Sequence, residues 1–202
     1  MTDVLLLLSS PRGAASHSSR VARELARRWL ARHPGSRLTV HDLAQPALPH
    51  IDEAYVSGRM LPAAERSARQ HAAVAVSDRL IEELRNHSVL VVASSMINFS
   101  MASTLKAWFD HVLRVGVTFR YEDGRPIGLL TGKRVYLVEA RGADYSVEPY
   151  RAQDFQQPLI KVLLSYMGLD VTATVNIEGV AFGYEQAEQA AMAELEDLPD
   201  LV

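Results

Sequence analysis

The chain has 202 residues, of which 48% are hydrophobic and 22% charged, with a formal net charge of -3. This is the balance of a soluble globular protein with a real core, and with no basic surplus to neutralise phosphates it excludes a nucleic-acid binder. Cysteine is absent, so disulfides, thiolate nucleophiles and cysteine metal sites are excluded and any redox chemistry must come from a bound cofactor.

Val4-Leu5-Leu6-Leu7-Leu8 is short, wholly apolar and closed by Ser9-Ser10-Pro11-Arg12-Gly13, the pattern of a strand buried on both faces. The run is too short for a secretory leader, Asp3 precedes it, and no apolar stretch is long enough to span a membrane. A cytoplasmic location is expected. A hydroxyl-rich loop follows, Ala14-Ala15-Ser16-His17-Ser18-Ser19-Arg20, and then a helix with Val21, Leu25, Trp29 and Leu30 on one face. A second strand is expected at 38–43, a proline-punctuated loop at 44–49, an irregular segment at 51–64 that is either a short helix or a lid bordering a pocket, and a long helix at 63–85. The third strand is expected at 89–93 and ends in Ser95-Met96-Ile97-Asn98-Phe99-Ser100.

A helix over 103–115 carries Leu105, Trp108, Phe109, Val112 and Leu113 on a broad apolar face, which reads as core-facing for most of these residues, while Trp108 and Phe109 together are heavy enough to suggest a dimer seam. Gly124-Arg125-Pro126 is a turn signal that lets 118–121 fold back as a hairpin arm. A fourth strand at 133–139 leads into Ala140-Arg141-Gly142-Ala143; a helix at 153–167, a fifth strand at 170–177 and a last helix at 184–195 complete the chain.

This alternation implies one α/β domain over 1–202, a five-stranded parallel sheet of flavodoxin-like order 2-1-3-4-5 with helices on both faces. In that order the loops after strands one and three flank one crevice, and the loop after strand four can form a third wall. The first loop offers Ser10, Ser16, Ser18 and Ser19 at a helix start, with Arg12, His17 and Arg20 nearby. A helix cap accounts for one serine; a group of them beside free helix N–H groups suits an anion such as a phosphate monoester. The 95–100 loop, with bulky apolar side chains around one Asn, suits a flat ring with a polar edge, although an ordinary strand-to-helix connection has a similar composition. There is no GxGxxG fingerprint, P-loop or GxSxG elbow, and the histidines at 33, 41, 50, 71, 87 and 111 lack metal-ligand spacing and read as surface or helix-end residues.

Met96-Ile97-Asn98-Phe99, then Leu105-Lys106 with Phe109-Asp110, then Gly116-Val117-Thr118-Phe119-Arg120-Tyr121 resembles the FMN-dependent NADH-azoreductases, bacterial flavodoxin-like NADH:quinone oxidoreductases whose pattern is close to PMYNF, LKxxFD and GVTFRY. The likeness extends to the serine loop, to Leu129-Leu130-Thr131-Gly132-Lys133 and to Arg141-Gly142. It implies that Ser10, Ser16, His17 and Ser18 hold the FMN phosphate, that Met96, Ile97, Asn98 and Phe99 run beside the isoalloxazine, and that Ala140, Arg141, Gly142 and Ala143 sit near its pyrimidine end. It further implies a homodimer in which Phe119 and Tyr121 help form a substrate pocket across the interface. The implied activity is ping-pong, two-electron hydride transfer from NADH (or NADPH) through FMN to quinones, with reductive cleavage of aromatic azo compounds; no acid–base residue and no metal is assigned. A non-enzymatic flavodoxin-like electron carrier is the alternative. Ile97 stands where the family has Tyr, Ala140 where it has Ser, and Ala143 where it has Gly, the last implying strain in a turn that needs positive φ.

Overall fold

In the computed structural model residues 2–198 are described. The strands are β1 (Val4–Leu8), β2 (Leu38–Asp42), β3 (Val89–Ile97), β4 (Ser100–Met101), β5 (Phe119–Glu122), β6 (Arg125–Gly128), β7 (Arg134–Ala140) and β8 (Ala173–Ile177). The helices are α1 (His17–Arg32), α2 (Glu53–Gly58), α3 (Ala68–Asn86), α4 (Ser103–Val112), α5 (Gln157–Tyr166) and α6 (Val180–Glu194). The main sheet runs β2-β1-β3-β7-β8, every pair parallel. This is the expected order, with the switch point between β1 and β3.

The apolar run of β1 is explained by two cores, one on each face of the sheet. Leu5 and Leu7 pack with Leu80, Ile81 and Leu84 of α3, Trp108 and Phe109 of α4, and Ile160 and Leu164 of α5. Val4, Leu6 and Leu8 pack with Val21, Leu25 and Trp29 of α1 and with Ala191 of α6. Period-2 alternation therefore feeds both faces, and no position on β1 is left for a polar residue.

Helix boundaries follow their caps. α3 starts at Ala68, not 63, because Ser67 and Gln70 form a reciprocal capping box, while 63–65 is a separate 3-10 turn. The 153–167 helix divides into a 3-10 turn at Tyr150–Gln153 and α5, in whose first turn Pro158 removes only an N–H that has no helical partner. The Asp154 carboxylate accepts from the amides of Gln156 (2.9 Å) and Gln157 (3.1 Å) at that junction. α6 begins at Val180, earlier than 184, with its chain bent at Gly183. β2, β7 and β8 differ from expectation by one to three residues at their ends.

Packing decides three open readings. The apolar face of α4 is core, as expected for most of its residues: Leu105, Trp108, Phe109 and Val112 are at most 1% exposed, so Trp108 and Phe109 form no dimer seam. The 51–64 segment holds a short helix, α2, and does not line the crevice cavity; the buried face of α2 packs on α3, and the Tyr55 hydroxyl reaches the His111 carbonyl. His111 is a helix-end residue, in the last turn of α4, and is buried with Nε2 bonded to the Pro49 carbonyl oxygen.

The second hairpin, β5–β6, turns at Asp123-Gly124, both at positive φ, so Arg125 and Pro126 belong to the strand and not to the turn. Its base lies where β3, β7 and β8 begin. Arg85 at the end of α3 donates to the Val117 carbonyl, Leu130 N–H to the Met167 carbonyl, and Gly128 lies directly against Gly168 at the end of α5.

Candidate functional site

The carboxyl ends of β1, β3 and β7 converge on a cavity of about 160 Å³ lined by Ser10, Pro11, Arg12, His17, Ser95, Met96, Ile97, Ala140, Gly142 and Val180. Three loops distant in sequence meet there because parallel pairing brings their strand ends to one edge. A larger groove of about 530 Å³ runs between α1 and α6 past Arg20, Arg28, Tyr184 and Glu188, away from the strand ends.

The first wall is the start of α1. Ser16 is the N-cap, its hydroxyl accepting from the Ser19 amide at 3.2 Å. The amides of His17 and Ser18 have no partner among the described residues. The Ser16 and Ser18 hydroxyls are 3.2 Å apart, and Ser18 lies 3.1 Å from the Ser95 hydroxyl at the end of β3. A line of hydroxyls therefore joins the two loops. Ser10 is 3% exposed, and among the described residues its hydroxyl meets only the Arg12 amide, at 3.4 Å. Unpaired helix amides, hydroxyls and a histidine form a donor set for an anion.

The second wall departs from expectation in form. β3 does not stop at Ala93 but continues to Ile97, and Asn98-Phe99 is the two-residue turn of a hairpin in which Met96 pairs with Met101 and Ile97 with Ser100. Asn98 (φ 47°) and Phe99 (φ 70°) both have positive φ, the geometry that makes such a turn match strand twist. Asn adopts it readily; a Phe there is strained. The surroundings hold it: the Phe155 amide donates to the Phe99 carbonyl at 3.1 Å. Met96 and Ile97 line the cavity, whereas Asn98 and Phe99 stand exposed at the turn tip. On the hairpin's other side Ile97 also lines a cavity of about 380 Å³ with His50, Met101 and Lys106.

The third wall is the end of β7. Ala140 and Gly142 line the cavity, while the Arg141 side chain turns inward and is 2% exposed. Its guanidinium meets Glu139 (2.9 Å), Glu178 (3.0 Å) and Asp154 (3.3 Å). Desolvation by burial holds the carboxyls of Glu139 and Glu178 above the ordinary range, against the pull of Arg141. Gln157 also donates to Glu139, at 2.8 Å. Arg141 thus pins the loop after β7 to the turn after β8 and to the start of α5. Ala143 is not at positive φ, so the expected strain is absent. A Cβ placed on Gly142 would meet only the Ala181 methyl, at 4.0 Å, so the bare glycine leaves open space at the cavity edge.

Behind the first wall, Glu188 of α6 accepts from Arg20 through both oxygens (2.8 and 2.5 Å) and lies 2.8 Å from His17 Nδ1. The Arg20 hydrogen bonds, with help from His17, hold the Glu188 carboxyl below its usual range despite its burial.

Of the sequence-derived site residues, Ser10, His17, Met96, Ile97, Ala140 and Gly142 share the cavity. Ser16 and Ser18 lie buried beside it. Phe119 and Tyr121 are elsewhere, on the hairpin at the opposite end of the sheet, where Phe119 packs on Tyr166 and Tyr121 is exposed. Sequence reasoning missed Ser95, Val180, Glu188 and the Arg141 cluster. The i, i+2 spacing of Glu139 and Arg141 on a strand was a usable signal for the last; nothing local marks Glu188.

A family model described as flavodoxin-like fold matches residues 2–201. An FMN-dependent NADH:quinone oxidoreductase 1 of Burkholderia lata is 45% identical over 193 residues, covering 96% of this chain and 93% of that protein. A Rhizobium etli protein of the same name is 43% identical over 190 residues, covering 94% and 93%. Among solved structures, an azoreductase from Bacillus anthracis superposes with a TM-score of 0.90 at 23% identity over the whole of both chains. An FMN-dependent NADH-azoreductase from the same species, in complex with FMN, superposes with 0.89 at 20% identity, covering 98% of this chain and 97% of that one. At those identities the structural likeness establishes the fold.

Proposed function

The chain belongs to the flavodoxin-like family of FMN-dependent NADH:quinone oxidoreductases, and we propose that it is itself such an enzyme, taking electrons from NADH and passing them to quinones and aromatic azo compounds. The observation that carries this reading is the junction of unlike walls at one strand-end crevice: unpaired donors at the start of α1 opposite Met96 and Ile97. That donor set suits a phosphate, and the apolar hairpin beside an open Gly142 suits a ring, so the residues fit FMN. Bound there, FMN supplies two-electron hydride chemistry, which no side chain of the chain can provide.

The residues of the chain bind and orient. Ser10, Ser16, His17 and Ser18 would hold the phosphate; Met96, Ile97, Asn98 and Phe99 would flank the ring; Ala140, Arg141, Gly142 and Ala143 would close its third side, with Arg141 acting through the backbone it anchors. No side chain is assigned to acid–base catalysis. The whole chain works as one domain, without nucleic acid or membrane, in the cytoplasm.

A homodimer is part of the reading. Phe119 and Tyr121 sit at the end of the sheet remote from their own crevice, so they can wall a site only in a second copy. Phe155, Phe182 and Tyr121 are 60%, 83% and 59% exposed, apolar surface that a partner would cover.

The test is direct. The purified protein should be yellow, or become so with added FMN, and should oxidise NADH with benzoquinone and with an azo dye. A preparation that stays colourless with FMN sinks the flavin reading, and a yellow one that turns over with neither NADH nor NADPH is a carrier. Asn98→Ala should weaken FMN retention; unchanged affinity would place the ring elsewhere.

A further inference from the structure

A second cavity, of about 450 Å³, opens on the β2 side of the loop that joins β1 to α1. Its lining combines the ends of β1 and β2 with one face of α1, and includes Ser10, Gly13, Ser19, Arg23, Asp42 and Gln45. Leu8 and Asp42 are paired across β1 and β2, so Asp42 stands at the carboxyl end of β2 on the sheet face that α1 covers.

The fold leaves much of this lining without partners. Ser19 is 6% exposed, and its hydroxyl has no hydrogen-bond partner among the described residues, although its amide is used by the Ser16 cap. A buried hydroxyl in that condition is served by a ligand or by water. Arg23 makes no ion pair among the described residues, whereas Arg20, which also reaches the cavity, is already paired with Glu188. Asp42 uses one carboxylate oxygen on the Ala44 amide, at 3.0 Å, and among the described residues the other oxygen is free.

Ser10 belongs to this cavity and to the crevice cavity alike. Between the two runs only the exposed 11–15 loop, where a Cβ placed on Gly13 would meet nothing within 4 Å. A ligand phosphate held at Ser10 therefore has two ways to extend, toward Met96 and Ile97 on one side and toward Arg23 and Asp42 on the other. An unpaired guanidinium suits a second phosphate. A carboxylate at the end of the second strand is the group that bonds ribose hydroxyls in doubly wound nucleotide sites, and the Gln45 amide offers both a donor and an acceptor to a base edge. Charge decides whether that second nucleotide is separate or joined. Two separate phosphate monoesters bring roughly 3 to 4 negative charges to neighbouring positions, and Arg23 is the one cation of this cavity not already paired among the described residues. A bridging oxygen removes one ionisable group from each phosphate and lowers that repulsion.

Resting on the FMN reading above, we propose that this cavity is the nucleotide half of a dinucleotide site, so that the chain binds flavin adenine dinucleotide as well as FMN, with Arg23 on the second phosphate and Asp42 on the ribose.

The experiment titrates flavin-free wild type, Arg23→Gln and Asp42→Ala with FMN and with flavin adenine dinucleotide, by flavin fluorescence. Wild type should bind the dinucleotide at least as tightly as FMN. Each variant should weaken the dinucleotide by about tenfold and leave FMN unchanged, since neither residue lines the crevice cavity. Unchanged FMN affinity also shows that the variant is folded. The Arg23→Gln loss should shrink in high salt, because that side chain is exposed. No binding of the dinucleotide by wild type, or dinucleotide affinity equal in wild type and both variants, overturns the proposal while leaving the FMN reading standing. Equal losses for FMN and the dinucleotide place this cavity in the FMN site itself and overturn the proposal too. Failure of wild type to bind either flavin removes both readings.

Discussion

Arg141→Met is the substitution with the largest expected effect on the framework of the site. It replaces a guanidinium, 2% exposed and shared among Glu139, Glu178 and Asp154, with an apolar chain of similar length. The Glu139 side chain is fully buried, one of its oxygens already has no hydrogen-bond partner, and its nearest cation disappears. Removing one member of a buried pair costs about 3–5 kcal/mol, because the other charge stays behind uncompensated. At about 2–4 °C per kcal/mol for a domain of this size, the unfolding midpoint should fall by roughly 6–20 °C near neutral pH. The loss should depend on pH. Burial holds the folded-state pKa of Glu139 above its unfolded value even with Arg141 present. A group shifted in that direction contributes stability that is full below the unfolded carboxylate range, near about 4.3, and lost as pH rises through the folded value. Without Arg141 the folded value rises further, so the deficit relative to wild type should be largest near neutrality and shrink as pH falls toward about 5, by up to about 1.4 kcal/mol for each unit of additional shift. Urea unfolding of both proteins across that range measures it. Adding Glu139→Met to Arg141→Met should recover part of the loss, since the stranded charge is then gone. A single variant within about 1 kcal/mol of wild type, or a deficit flat with pH, would refute the reasoning.

Further tests address the two hairpins. Phe99→Gly removes a bulky side chain from φ 70° and should stabilise the fold by about 1 kcal/mol in urea unfolding, while raising the Kd for FMN if the Phe99 ring flanks the isoalloxazine; a stability loss would show that the exposed ring is held by contacts stronger than the strain. Gly128→Ala places a Cβ inside the backbone of Gly168, so the β5–β6 hairpin should detach from the end of α5. Protease cleavage at 119–128 and weakened self-association would report it. A stable dimer with an undisturbed hairpin would contradict the close approach.

How much of this was legible beforehand follows physical range. β1 was readable to the residue because an unbroken apolar run has only one use in an α/β protein. The Ser16 cap at the start of α1 was readable, since helix caps and free amides are local. The α3 start was misplaced at 63, although Ser67 and Gln70 carry a capping-box signal in the sequence. The Asn98-Phe99 turn was not legible, because Phe at positive φ is disfavoured locally and survives only where the Met96–Met101 pairing and the Phe155 amide hold it. Trp108 and Phe109 were read as a dimer seam because one helix's apolar face does not say what covers it. The sheet and α3 cover it, through contacts with residues up to a hundred positions away.

The sequence alone determined the strand order, the serine and Asn-Phe segments, and the family, since these rest on runs, spacings and motifs that travel with the chain. The tertiary structure alone decided which groups share a microenvironment. It turned Arg141 away from the crevice into a carboxylate cluster, set Glu188 from the last helix behind His17 of the first, and put Phe119 and Tyr121 at the far end of the sheet. Local sequence governs conformation over a few residues, whereas charge pairing and burial depend on distance in space, which only the folded chain defines.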